Sequence, residues 1–293
     1  MTYLLALVAA IAFGANWVLQ QHEAGRAPAT LQLRPIRLLE HLIRRPLWLV
    51  GLLALAIGGA AQEDALASGS LPVIESLLVL DLVFALLLAD RLSRHSVGRS
   101  QWAGAAAVCI GLATFLIAGN PTPGHSAGAD SRWVLVLAVV GGLCGLLCAL
   151  AWRKPGTVRA VSCAMTASVL FGLSDGLSKA AFSLSVPGIF AAWQLYGLIG
   201  AAVVAVAASQ VAYNAAPLVV SLPSLAVGEP VTGVMIGVMV LHVHFRTGAV
   251  ATAIEVGAAV TIVVGSWVVG RARVLDLITE YAETHAHVKP TDH

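Results

Sequence analysis

An all-α membrane protein, with nine transmembrane helices forming two inverted four-helix repeats joined by a fifth helix, is the fold class that three observations predict. Hydrophobic residues make up 58% of the chain and charged residues only 11%, with a mean hydropathy of +0.87. Soluble chains carry roughly a quarter charged residues. Apolar runs of about 20 residues, enough to cross some 30 Å of hydrocarbon as helices, recur along all 293 residues. Fourteen of the seventeen Lys and Arg fall in every second connection or in the C-terminal tail, a bias that only a multi-pass topology makes meaningful.

Taken in order, the spans are expected at 2–20, 47–67, 72–90, 101–118, 132–151, 160–182, 190–213, 218–241 and 248–270. They form a single bundle over 1–270, with repeat one at 1–118, a linking helix at 132–151 and repeat two at 160–270; a cytoplasmic tail covers 271–293. The opening stretch MTYLLALVAAIAFGANWVLQQ lacks a basic n-region and a small-residue cleavage site, so it reads as a retained first helix rather than a signal peptide. Basic residues crowd the connections after helices one, three and five and the tail, whereas the opposite face holds only Arg132 and Arg246 and Lys179 lies within a span. That imbalance places the C-terminus in the cytoplasm and the N-terminus outside. The compartment expected is a bacterial plasma membrane.

Between the first two spans, RPIRLLEHLIRR sets Ile36, Leu39 and Leu42 on a stripe beside Arg34, Arg37, Arg44 and Arg45. It reads as an interfacial amphipathic helix, and equally as a solvated linker helix. The segment from Asn120 to Ser131, rich in Pro, Gly and Ser, is an exposed link. Cys109, Cys144, Cys148 and Cys163 all lie in apolar segments and make no disulfide framework; Cys144 and Cys148 share a helix face as small packing residues. The pairs His242/His244 and His285/His287 lack a third ligand in sequence, so they read as polar ends and leave any metal unassigned. Tryptophans near span ends suit interfacial anchoring, with Trp17 and Trp193 able to line a pocket. GxxxG spacings at Gly141 to Gly145 and Gly233 to Gly237 suggest close helix approach.

The two halves resemble each other. FGANWVLQQ in the first helix matches FGLSDGLSK in the sixth, pairing Phe13, Gly14 and Leu19 with Phe171, Gly172 and Leu177; Ala65, Leu71 and Val73 fall on Ala212, Leu218 and Val220, and Gly104 on Gly257. Equivalents five helices apart run in opposite directions through the membrane, the arrangement of many secondary transporters.

FGANWVLQQ, RRPLWLVGLLALAIGG and AYNAAPLVVSLPSLAVGEPVTGVMIGVMVL resemble the drug/metabolite transporter superfamily, in particular its nine-helix branch of NIPA-type and related actinobacterial proteins. The resemblance implies a secondary carrier of the plasma membrane. It departs from the NIPA pattern in the second helix, where Gly59 and Gln62 stand in place of an acidic residue followed by Asn; for magnesium to be the substrate, Glu63 and Asp64 would have to take that role one helical step on.

Carboxylates inside the apolar segments are the residues most in need of explanation. One at a helix centre costs about 2.5 to 3.5 kcal/mol even on the lowest scales, and such groups usually face a bundle interior or a watery path. The candidates for substrate or proton binding are Asp81, Asp175 and Glu229, with Glu75, Glu63 and Asp64 toward an outer entry, and Lys179 and Glu255 nearby. Asp175 and Lys179, four apart on one helix face, also read as a structural ion pair. Pro223 and Pro230 flank Glu229 and would interrupt its helix, either to expose backbone carbonyls or only to kink it.

These residues point to a cation or small polar metabolite as substrate, coupled to protons or a cation, with no cofactor, no enzyme activity and no nucleic-acid partner. No Walker A loop, HExxH or CxxC pair is present to support an enzyme. A carrier of lipid or lipid-linked precursors and a non-transporting scaffold for an envelope enzyme are the rival readings. Membrane lipids are partners under each of them, and a homodimer or an envelope-protein partner stays open.

Overall fold

A computed structural model of the chain describes residues 2–68, 74, 77–78, 80–92, 98–120, 130–182, 184, 186–216, 218–246 and 248–286. The elements are α1 (Thr2–Ala24), a 3-10 turn (Ala29–Leu31), α2 (Pro35–Leu42), α3 (Pro46–Ser68), α4 (Asp81–Leu92), α5 (Arg99–Gly119), α6 (Asp130–Arg153), α7 (Thr157–Phe182), α8 (Val186–Ala191), α9 (Trp193–Ala215), α10 (Leu218–Met239) and α11 (Ala249–Ala286). No strand occurs among the described residues. Among the described residues six helices, α1, α3, α5, α6, α7 and α9, are long and apolar enough to cross a membrane. The protein is therefore a helical membrane protein.

Burial explains why these helices are apolar on every side. α7 is the most enclosed, with 67% of its apolar window buried, while the window of α6 is only 22% buried and leaves Val134 and Leu146 in the open. A helix of Val and Leu that hides so little from its surroundings is stable only where those surroundings are hydrocarbon. Around α7 pack α9, α10 and α6; around α1 pack α3 and α4, with a smaller contact to α9; α5 and α11 share the most extensive contact of all.

The sequence explains these contacts through small residues. A Cβ on Gly14 of α1 would stand 2.7 Å from the Asp81 carbonyl oxygen, 2.9 Å from the Ala85 nitrogen and 2.9 Å from the Phe84 Cβ. A Cβ on Gly172 of α7 would stand 2.5 Å from the Glu229 carbonyl oxygen, 3.2 Å from the Gly233 nitrogen and 2.8 Å from the Thr232 Cβ. The three atom types are the same. Residues 229, 232 and 233 follow 81, 84 and 85 by 148 positions each, as Gly172 follows Gly14 by 158. Between α5 and α11 the same reciprocity holds: Gly111 lies against the Ala258 carbonyl and Ile262, and Gly265 against the Gly104 carbonyl and Val108. Partners descend on one helix as they ascend on the other, so α5 and α11 run antiparallel.

Several expectations change. The stripe of α2 that turns inward is Leu38 and Leu42, both fully buried, with Leu39 partly covered; Ile36 stays 72% exposed. An i, i+4 pair facing α9 won over the predicted Ile36–Leu39–Leu42 stripe because α2 packs on a helix rather than lying alone on a surface. Gly141 and Gly145 meet no described atom within 4 Å, so the close approaches are made by other glycines. α10 continues as one helix through Pro223 and Pro230, packed against α7 and α11, so the prolines do not divide it. The third predicted span, 72–90, is described as a continuous helix only from Asp81 onward, with residues 74, 77 and 78 helical before it, and Glu75, His287 and positions 121–129 lie outside the described residues. Trp48 and Trp133 are buried within the bundle rather than placed at its surface, Trp133 edge-on to Trp193 with ring centroids 5.6 Å apart.

Gly172→Leu is expected to destabilise the protein by about 1 to 3 kcal/mol or more through overpacking, and Gly141→Leu to change it by less than about 0.5 kcal/mol. Thermal unfolding of the purified variants in one detergent checks the contrast.

Candidate functional site

The crossings at Gly14 and Gly172 lie near the middle of α1 and α7, so they carry two predicted carboxylates to the interior of the bundle. Asp81 opens the described part of α4 and is half-buried, with its carboxylate in electrostatic reach of the Cys109 thiol on α5. Glu229 on α10 is half-buried too, in electrostatic reach of the Tyr213 hydroxyl on α9, which is hydrogen-bonded to Ser209. Among the described residues α4 and α10 share no extensive interface, so Asp81 and Glu229 occupy matching places on separate crossings.

The remaining candidates divide between the ends. Glu63 and Asp64 are exposed near the C-terminal end of α3, and the Ser178 hydroxyl of α7 donates to Glu63 Oε1 at 3.4 Å. Asp175 and Lys179 flank Ser178 on α7 and are exposed. Glu63 and the Asp175–Lys179 segment are thus brought together, while Glu255 is set apart on α11. A side chain on Gly119 would meet Glu255 Oε1 at 3.1 Å and the Phe245 ring at 2.7 Å, and that oxygen has no hydrogen-bond partner among the described residues. His242 meets the Arg132 guanidinium at 2.7 Å, and Arg132 also donates to the Met239 carbonyl at 3.1 Å, which joins α6 to the end of α10. No group of three metal-ligating side chains forms among the described residues.

Sequence reasoning weighed the charged residues and passed over the amides. Trp48 Nε1 donates to Gln210 Oε1 at 2.9 Å, and Gln210 Nε2 donates to Gln20 Oε1 at 2.5 Å and to Ser209 Oγ at 3.2 Å. Gln210 is wholly buried and Gln20 is 2% exposed. A turn further on, Asn214 Nδ2 donates to the carbonyls of Ala24 and Ala27 at 2.6 and 2.7 Å, satisfying groups at the end of α1. Gln32 Nε2 donates to the Asn214 carbonyl, and Arg159 donates to Gln32 Oε1 and to the Ala151 carbonyl. Together they tie the ends of α1, α6 and α9 and the start of α7, the end that carries the Arg-rich first connection. Asn16, Gln20, Gln210 and Asn214 inside apolar segments were the available signal, because an amide in hydrocarbon needs a partner as a carboxylate does.

An apolar groove of about 220 Å3 opens between α6, α7 and α10, lined among others by Leu143, Met165, Val169, Val231 and Met235, and holds none of the predicted carboxylates.

Fold and site define a polytopic helical membrane protein with polar side chains buried between its helices. No family model and no solved structure matches the chain. A protein of Corynebacterium glutamicum described as uncharacterized is 31% identical over 253 residues, which cover 83% of this chain and 85% of that one. The chain belongs to the same family as this corynebacterial protein.

Asn214→Ala removes two hydrogen bonds from the end of α1 and is expected to lower stability by about 1 to 3 kcal/mol. The check is the unfolding midpoint, together with faster proteolysis in the connection between α1 and α2.

Proposed function

We propose that the protein is a secondary transporter of the drug/metabolite type, moving a cation or small polar metabolite across the bacterial plasma membrane by alternating access. The observation that carries this reading is the recurrence of one contact pattern: Gly14 on Asp81, Phe84 and Ala85, and Gly172 on Glu229, Thr232 and Gly233. With the antiparallel crossing of α5 and α11, it supports nine spans in which α1, α3, α4 and α5 form one repeat, α6 links, and α7, α9, α10 and α11 form an inverted second. Across the α5–α11 crossing the Gly104 carbonyl abuts Gly265 as the Ala258 carbonyl abuts Gly111, so Gly104 corresponds to Ala258, one residue beyond the Gly257 expected from sequence. Two equivalent halves meeting in opposite senses have two equivalent ways of opening, which is the physical basis of alternating access.

Asp81 and Glu229, at matching depth in the two halves, are the residues that bind the cation or proton. They follow equivalent backbone contacts and sit where a charge is least tolerable unless it is used. The basic end, clasped by Arg159, Gln32 and Asn214, faces the cytoplasm under the positive-inside bias.

The groove between α6, α7 and α10 favours a second reading, a carrier of lipid or lipid-linked precursors. It has the apolar lining an acyl chain requires, and lies on the surface the bundle turns to lipid.

Reconstituted in liposomes, the protein is expected to show flux of a cation or polar metabolite that responds to an imposed pH gradient. Asp81→Asn and Glu229→Gln are expected to reduce it by at least about tenfold. Gradient-insensitive liposomes, with both variants behaving as the parent, would remove the transporter reading; scrambling of a labelled lipid would favour the second.

A further inference from the structure

We propose that Glu63 is the proton-binding residue that governs closure of the end of the bundle opposite the basic clasp, with closure requiring its carboxyl group to be neutral. The proposal rests on the alternating-access reading above and assigns the coupling of one gate to one side chain.

Among the polar contacts between the two halves, two correspond to each other. Gln20 of α1 meets Gln210 of α9, and Ser178 of α7 meets Glu63 of α3. Residue 178 follows 20 by 158 positions, the same step that carries Gly14 to Gly172; residue 210 follows 63 by 147, the step that carries Ala65 to Ala212. The contacts are therefore equivalents under the repeat.

They lie at opposite ends. On α3, Gly51 abuts Gln20 of α1 and Gly58 abuts Phe13, so the two helices run antiparallel. Gln20 is near the C-terminal end of α1, and Glu63 is near the C-terminal end of α3.

The equivalents differ in state. Gln210 is fully buried, Gln20 nearly so, and Trp48 backs the pair with an indole hydrogen bond. Glu63 is exposed, its contact to Ser178 is long at 3.4 Å, and α3 and α7 scarcely touch among the described residues, whereas α1 and α9 make a small but definite packing contact. One gate is shut and the other stands ajar.

Chemistry separates them further. A primary amide and a protonated carboxyl group have nearly the same shape, each with one carbonyl acceptor and at least one donor. Closing the Glu63 end to the geometry of the Gln210 end buries residue 63 as residue 210 is buried. As Gln210 already is, Glu63 must then be uncharged, because an isolated buried carboxylate is far more costly than a hydrogen-bonded neutral group. The proton comes from the aqueous side to which that end is open and binds a carboxylate oxygen, so no other bond changes. Among the described residues, the titratable groups on the elements at this end are Asp64 on the same helix, Asp175 and Lys179 on α7, and Tyr3 in the first turn of α1; the other titratable residues of α1, His22 and Glu23, are at the far end.

Pulsed electron paramagnetic resonance on the full chain in nanodiscs, without substrate, tests this. In a background with the four native cysteines replaced, spin labels at Ala60 and Phe182 report the Glu63 end. The short-distance population is expected to rise at least about threefold from pH 8 to pH 5 in the parent, and to be high at both pH values in Glu63→Gln. Distances independent of pH in the parent, or Glu63→Gln matching the parent at pH 8, overturn the proposal. Gln210→Glu, with labels at Arg26 and Ala215, provides a second arm: the basic end is expected to open at pH 8 and close at pH 5, and a pH-independent distance there counts against the proposal. Proton-driven closure without flux would remove the transporter reading and keep this inference; flux with pH-independent distances would do the reverse.

Discussion

At Gly14 and Gly172 a helix comes so near the backbone of its neighbour that a single added carbon would meet a carbonyl oxygen at 2.7 and 2.5 Å. Without a water-driven force between helices in hydrocarbon, association depends on close packing, and glycine permits the closest. These two contacts set α4 on α1 and α10 on α7. They also bring the residues whose carbonyls are approached, Asp81 and Glu229, against α1 and α7, so the packing of each helix pair places its carboxylate.

The polar groups follow a different logic at each end. Where the Arg-rich connection lies, Trp48, Gln210 and Gln20 form a buried chain of hydrogen bonds, and Asn214, Gln32 and Arg159 clasp the helix ends behind it. At the other end Glu63 and Asp64 stand in the open beside Asp175 and Lys179. Amides can be buried when paired; carboxylates resist burial unless neutralised. The contrast between the ends is thus written in the difference between a glutamine and a glutamate.

Much of the helical pattern was legible. The expected segments at 2–20, 101–118, 132–151 and 160–182 lie within α1, α5, α6 and α7, because an apolar run of that length has one economical way to satisfy its backbone in hydrocarbon. That Gly14 and Gly172 share a local sequence pattern was legible as well. The partners of those glycines were not, since contact between α1 and α4 spans the whole of α2 and α3 and leaves no local pattern. Formal charge marks Asp81 and Glu229 in the sequence, whereas no charge marks Gln20 and Gln210, whose burial against each other is a tertiary contact.

Composition and the placement of Lys and Arg were enough to make this a helical membrane protein, because hydropathy and charge act on each segment wherever it later packs. Which face of α2 turns inward, that α10 passes through its prolines unbroken, and that Gln20 meets Gln210 while Glu63 remains exposed were decided only when the helices came together. Those outcomes depend on distances between residues far apart along the chain, and such distances are a property of packing.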